Sequence, residues 1–217
     1  MKKIIATLFT SILLMGMANA DVRMGLTGMY LDVEASGSQT LKTSGTKANK
    51  THNDSAIAGE IFLEKKSEDG LVIGVSVIPM DAEAGSSSVS RTDKLKSGDV
   101  TGTQKASADF SMHTTFYAHI PLSYYDGAYL KLGAGFVDVK STESLVTGAA
   151  YGDEKVNFGT IGLGVERDLD NGMFTRIEGA YSDYQEIKLT STGSDATSTI
   201  SGEIETLTAR ITIGKSF

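Results

Sequence analysis

Apolar and polar residues alternate one by one over several stretches of the chain. Phe110, Met112, Thr114, Phe116, Ala118 and Ile120 interleave with Asp109, Ser111, His113, Thr115, Tyr117 and His119. Toward the end, Leu207, Ala209, Ile211, Ile213 and Phe217 interleave with Thr206, Thr208, Arg210, Thr212, Gly214 and Ser216, with Lys215 out of step. Successive side chains of a strand point to opposite faces, so this period predicts strands with one apolar and one polar face. The same reading predicts strands near 22–34, 55–65, 71–78, 127–140, 154–167 and 173–186, eight in all with the two above. Their apolar sets are Ile57, Ile61 and Leu63; Leu71, Ile73, Val75 and Val77; Leu130, Leu132, Ala134 and Phe136; Ile161, Leu163 and Val165; and Ile177 with Tyr181. In the first strand Met24, Leu26, Gly28 and Tyr30 share a phase that Leu31 and Val33 do not, which predicts a bulge or phase change there.

The connections alternate strictly in length. Short ones run over 66–70, 123–127 and 168–172; long ones, rich in Ser, Thr, Gly, Lys and Asp, run over 35–54, 80–106, 141–153 and 187–202. An up-and-down barrel with an even strand count gives this rhythm, with both chain ends on the short-turn side. After the leader, no segment reaches the run of about 18 apolar residues that a spanning helix needs, so any crossing of a membrane must use strands.

The first 20 residues stand apart. Lys2 and Lys3 precede an apolar run from Ile4 to Met17, followed by Ala18-Asn19-Ala20, the three parts of a secretory signal. Cleavage is expected between Ala20 and Asp21, leaving 21–217 as the barrel; an uncleaved anchor is the alternative. Of the 20 basic residues two lie in the leader, so 18 bases face 27 acids and the exported chain carries a formal charge of −9. That balance argues against nucleic acid as a partner. With no cysteine, the chain forms no disulfide in an oxidising compartment.

Alternation alone does not say which face is outside, because a soluble ligand-binding barrel alternates too. Three features favour lipid outside. The polar phase holds Gly133, Gly135, Gly162 and Gly164, small residues that suit a narrow lumen. Aromatic residues near strand ends, Tyr30, Phe110, Tyr124, Tyr125, Tyr181 and Phe217, suit a water-lipid boundary. Phe217 closes an alternating strand.

The run Gly162-Leu-Gly164-Val-Glu166-Arg-Asp-Leu169-Asp-Asn171, followed by Arg176-Ile-Glu178-Gly-Ala-Tyr181, resembles the penultimate hairpin of small eight-stranded outer-membrane barrels: the opacity proteins, OmpX and the membrane domain of OmpA. Tyr129-Leu-Lys131-Leu-Gly133-Ala-Gly135-Phe136 is similar to the strand that lies two before it in those families, and Phe217 to their terminal signal for the barrel-insertion machinery. The resemblance implies an all-β fold, an eight-stranded antiparallel up-and-down transmembrane β-barrel in the outer membrane of a Gram-negative cell. Its implied partners are outer-membrane lipid, lipopolysaccharide and the insertion machinery. Ending at Phe217, the chain is not expected to carry the peptidoglycan-binding domain of full-length OmpA relatives.

A lumen lined by the polar phase gathers Glu60, Asp109, Lys131, Glu166, Arg176, Glu178 and Arg210, four acids and three bases. Charges out of water must pair or hold water, so an ion-pair network is expected. A gated path for small solutes is the sharper alternative, and a wide channel conflicts with the bore of eight strands. Asp109, Ser111 and His113 share a predicted face but stand roughly 6.6–6.8 Å apart along the strand, too far for direct hydrogen bonds without help from neighbouring strands. With His52 and His119 scattered, no metal signature forms and no cofactor is expected. Gly162-Leu-Gly164 lacks the following helix of a dinucleotide site, and Asn49 and Asn53 match a glycosylation pattern that an exported bacterial protein rarely uses. The expectation is a non-enzymatic envelope barrel whose four long loops carry surface recognition or adhesion; a small-solute channel is the runner-up and a lipid-modifying enzyme comes third.

Overall fold

The computed structural model describes residues 21–41, 47–79, 82–95, 98–146, 150–192 and 198–217; the expected leader lies outside these. Ten strands form among the described residues: β1 (Asp21–Leu41), β2 (Lys47–Lys66), β3 (Val72–Ile78), β4 (Ala82–Leu95), β5 (Gly98–Pro121), β6 (Ala128–Ser144), β7 (Glu154–Asp168), β8 (Met173–Tyr184), β9 (Ile187–Thr190) and β10 (Ser198–Ser216). They make eight staves. β3 and β4 both pair with β5 and are two halves of one stave on either side of Pro79; β8 and β9 both pair with β10 in the same way. Every ladder is antiparallel, and β1 pairs with β10 from Arg23↔Ser216 onward, closing the cylinder.

Short turns join β2 to β3, β5 to β6 and β7 to β8, at the end of the barrel that also holds both termini of the described chain. Gly127 shows how little room they leave. Its φ of +78° is open to glycine at small cost, and a Cβ there would lie 2.1 Å from the Glu166 carbonyl oxygen. At the other end two of the four connections expected to be loops are largely strand: β1 and β2 stay in register to Thr40↔Lys47, and β4 and β5 to Leu95↔Gly98. These ends are rich in Ser and Thr, so no apolar alternation marked them, yet the backbone ladder simply continues.

Most members of the expected apolar sets point outward; Val75 and Val77 of β3 are instead buried. Leu26, Ile57, Ile61, Leu132, Ile161, Leu163, Ile177, Leu207, Ile211 and Ile213 are all exposed on the wall, bounded by Tyr30 and Tyr181 toward the long hairpins and by Tyr124, Tyr125 and Phe217 at the short-turn end. Two local expectations are corrected. β1 keeps an unbroken register with both neighbours, so it has no bulge. Val33 and Ala35 instead pack on an apolar cluster inside the barrel. The bulge is in β5: its register with β6 slips between Ser111 and Thr114, and Met112 takes a φ of +53°. One extra residue turns every side chain beyond it to the opposite face. Thr115, Tyr117 and His119 therefore point into the lumen, as expected, whereas Phe110 is turned inward to stack parallel to Tyr184 at 6.3 Å.

Candidate functional site: the charged and aromatic lumen

Two tiers of charge cross the bore. The tier nearest the short turns is built on Glu64, which is fully buried, and Glu166. Arg176, on β8, binds Glu64 through both terminal nitrogens, with Nη1 donating to Oε2 at 3.0 Å, and donates from Nε to Glu166 Oε2 at 2.7 Å. Arg23, on β1, lies within 3.5 Å of Glu64 and 3.0 Å of Glu166. Its guanidinium stands 3.6 Å over the Phe174 ring. Lys66 closes the tier by donating to Glu166 at 2.7 Å, and Tyr117 donates its hydroxyl to Glu64 at 2.7 Å.

Deeper in, Glu178 accepts from Lys131 at 2.8 Å and from the Tyr129 hydroxyl at 3.0 Å, while Arg210 lies 3.4 Å from it and pairs with Glu60. The His119 ring is layered between Tyr117 and Tyr129, at centroid distances of 4.8 and 4.2 Å, and its Nε2 stands 3.6 Å from Glu178. Cations and carboxylates are shared around a ring, so each charge taken from water meets more than one opposite partner, the condition under which a buried ion pair is tolerated.

Glycines make the room. A Cβ on Gly164 would lie 2.4 Å from the Tyr129 ring, one on Gly74 2.5 Å from that of Tyr117, and one on Gly214 2.3 Å from that of Phe174. Each ring lies over bare backbone of a neighbouring stave, which lets eight strands enclose both the rings and the charges. Above the tiers, toward the long hairpins, the lumen turns apolar: Val137, Val139, Val156, Phe158, Tyr184, Ile187 and Ile204 form one buried cluster.

Of the seven charged residues expected to share the lumen, the structure brings Glu60, Lys131, Glu166, Arg176, Glu178 and Arg210 together. Asp109 is the exception. With Phe110 inward on the far side of the bulge, Asp109 faces outward, directly opposite Lys140 of β6. Residues that the sequence reading left out are Arg23, Glu64 and Lys66, and the rings of Tyr129 and Phe174; Tyr117 it placed on the lumen face without giving it a partner. Glu64 shares the phase of Glu60 and sits opposite the outward Leu63, so the alternation did carry it; Arg23 lay too close to the leader for its phase to count.

The bulge also parts Asp109 from His113. His113 stacks on Phe158 at 4.4 Å and its Nε2 is 3.0 Å from the Tyr184 hydroxyl, while Ser111 is buried on the bulged segment. His52 is exposed, 4.0 Å from Asp54. At the short-turn mouth a cavity of about 630 Å³ opens between Lys66, Pro121, Tyr125 and Arg167 and reaches His119.

No protein-family profile matches the sequence, and no curated protein is significantly similar to it. Solved structures do resemble it. The outer-membrane protease OmpT of Escherichia coli is 11% identical and superposes with a TM-score of 0.51, covering 91% of this chain and 97% of that one. The outer-membrane protein AlkL, solved in lipid bilayers, is 14% identical with a TM-score of 0.52, covering 91% and 90%. At these identities the likeness is one of fold, and the fold is that of outer-membrane β-barrels.

Proposed function

We propose that the chain is a non-enzymatic outer-membrane protein of a Gram-negative envelope, a barrel whose filled lumen anchors four long hairpins for surface recognition or adhesion. The observation that carries this reading is the pair of ion-paired tiers. They fill the bore with Arg23, Arg176, Arg210 and Lys131 locked on Glu60, Glu64, Glu166 and Glu178. A belt of exposed aliphatic side chains around the wall suits lipid, and strands that continue past it carry their Ser- and Thr-rich ends clear of the bilayer. On this reading outer-membrane lipid and lipopolysaccharide surround the wall, and Phe217, exposed beside β1, is offered to the insertion machinery. Nothing in the placement of Asp109, Ser111 and His113 favours catalysis, since the bulge sets Asp109 on the opposite face.

The test is conductance in planar bilayers. Purified protein that shows the gel-mobility shift between unheated and boiled samples typical of a folded barrel should give no steady open state, and Arg210→Ala should open small, brief conductances. A second reading, a small-solute channel, draws on the cavity that leads from the short-turn mouth to His119. A steady wild-type current abolished by changing Arg176 or Arg210 would establish it in place of the first.

A further inference from the structure

The short-turn mouth of the bore holds more acid than base. Its cavity of about 630 Å³ is lined by Asp126, Glu166 and Asp168 against Lys66 and Arg167, beside apolar Val72, Pro121 and Ala128. A neighbouring cavity of about 510 Å³ shares Lys66 and Asp168 and adds Asp21 and Glu68 against Arg23. The cations are engaged: Lys66 donates to Glu166 at 2.7 Å and Arg167 to Asp126 at 3.0 Å. An anion would therefore have to break an existing pair to enter. Asp168 is different. It is 74% exposed, and among the described residues its carboxylate meets one cation, Lys66, at 3.7 Å. Lys66 itself shows what these carboxylates accept, an ammonium on an alkyl stem held between Glu166 and Asp168.

A second group in the same cavity lacks a partner. His119 lines it and is 3% exposed, yet neither ring nitrogen makes a hydrogen bond among the described residues. A buried polar atom left unsatisfied costs free energy, which a polar group brought in through the cavity would recover. The imidazole offers a donor or an acceptor according to its tautomer, and a hydroxyl answers either one. Around the ring the surface is apolar. Val72 stands opposite His119 in the ladder between β3 and β5, and Tyr129 stacks on it at a centroid distance of 4.2 Å. Surplus carboxylate at the rim, apolar surface beside the imidazole and an unpartnered imidazole within thus describe one ligand from end to end.

We propose that the short-turn mouth is a binding site for a small organic cation, a primary ammonium on a short carbon stem that ends in a hydroxyl. The ammonium takes the share of Asp168 that Lys66 leaves open. The stem lies along Val72, Pro121 and Ala128, and the hydroxyl bonds the His119 imidazole. The ligand is cationic because the acids outnumber the bases, and it goes no deeper because Arg176 and Arg23 stand in the tier around Glu166. It comes from the water at the end of the barrel, since the cavity is lined by residues of the short turns and of the strand ends beside them. This site goes beyond surface recognition by the long hairpins, which lie at the opposite end, and neither reading needs the other.

The barrel, shown to be folded by its gel-mobility shift, is titrated in detergent micelles at low ionic strength with aminopentanol, pentylamine and hydroxypentanoate, and binding is read by ligand-observed NMR. Aminopentanol is expected to bind tightest and hydroxypentanoate not at all. Asp168→Asn, at an exposed side chain, should weaken aminopentanol by up to about fivefold. Lys66→Met removes the internal competitor and should strengthen it by a similar factor. His119→Phe keeps a ring in the stack and should erase the advantage of aminopentanol over pentylamine; if that variant does not fold, the comparison of the two amines on the unaltered protein decides the same point. Binding of hydroxypentanoate as strong as that of aminopentanol, binding of neither amine, or affinities indifferent to both Asp168→Asn and Lys66→Met would overturn the proposal. Equal binding of pentylamine and aminopentanol to the unaltered protein would overturn the part given to His119.

Discussion

Arg176 grips Glu64 across 112 positions of sequence, from a stave three places away around the wall. Neither charge has water to fall back on: Glu64 is fully buried and Arg176 is 3% exposed. Removing one partner strands the other. Arg176→Met is therefore expected to lower stability by about 3–5 kcal/mol, and Glu64→Gln by a similar amount. The double variant should cost less than the sum of the two, because the second change removes a charge already left unpaired. Urea titration in detergent micelles, followed by the gel-mobility shift, measures all three; strict additivity would show that the two side chains are not coupled.

Much of this was legible beforehand, for a reason that also explains what was not. The outward apolar belt repeats every second residue because one environment touches one face, so the outward positions of β6, β7, β8 and β10 could be assigned from periodicity. The lumen has no single chemistry. It is charged at Glu166 and Arg176 but apolar at Val33, Val137 and Phe158, so the inward apolar residues of β1 read as a phase change. In β5 the extra residue is hidden by composition: Phe110 and Phe116 are both apolar and both even-numbered, and parity counted along the sequence runs straight through a bulge that only the β6 register reveals. Among the described residues no ladder joins β2 to β4 after Pro79, and that was likewise invisible, because a missing ladder leaves no pattern in the residues that fail to pair.

Tyr129 lies over Gly164, and the ring is there because the side chain is not. Gly164→Ala places a methyl group 2.4 Å from ring carbon Cζ and hydroxyl of Tyr129. Tyr129 is held by its hydrogen bond to Glu178 and by the stack on His119, so it has little room to yield. The expected loss is about 1–3 kcal/mol, the usual range for overpacking. Tyr129→Ala alone should also destabilise, by removing the ring and one donor to Glu178. Together the two should cost less than their sum, and equilibrium unfolding of the four proteins decides the matter.

Met112 pays for the bulge with a left-handed backbone, φ +53°, that a side chain adopts at a cost of about 1–2 kcal/mol. Glycine enters that region freely but gives up roughly 0.5–1 kcal/mol of unfolded-chain freedom. Met112→Gly should thus leave stability unchanged or raise it by up to about 1 kcal/mol, whereas Met112→Val, β-branched, should lower it. If both variants lose stability equally, the side chain of Met112 matters more than its backbone, which unfolding midpoints will show directly.

Asp109 and Glu60 were expected to share one environment, and the bulge gives them different ones. Glu60 is buried and ion-paired with Arg210, while Asp109 faces outward on the ladder opposite Lys140. Asp109 is half-buried on the outer face, away from the buried ion pairs; substituting a surface charge usually changes stability by less than about 0.5 kcal/mol, so Asp109→Asn should be nearly silent. Glu60→Gln removes the charge that Arg210 is held against, and should cost about 3–5 kcal/mol unless Glu178 takes up the freed guanidinium. Arg210 already lies 3.4 Å from Glu178, which makes the low end of that range the expected value. A large loss with Asp109→Asn would instead mean that β5 continues without its extra residue, and that Phe110, not Asp109, is the residue in contact with lipid.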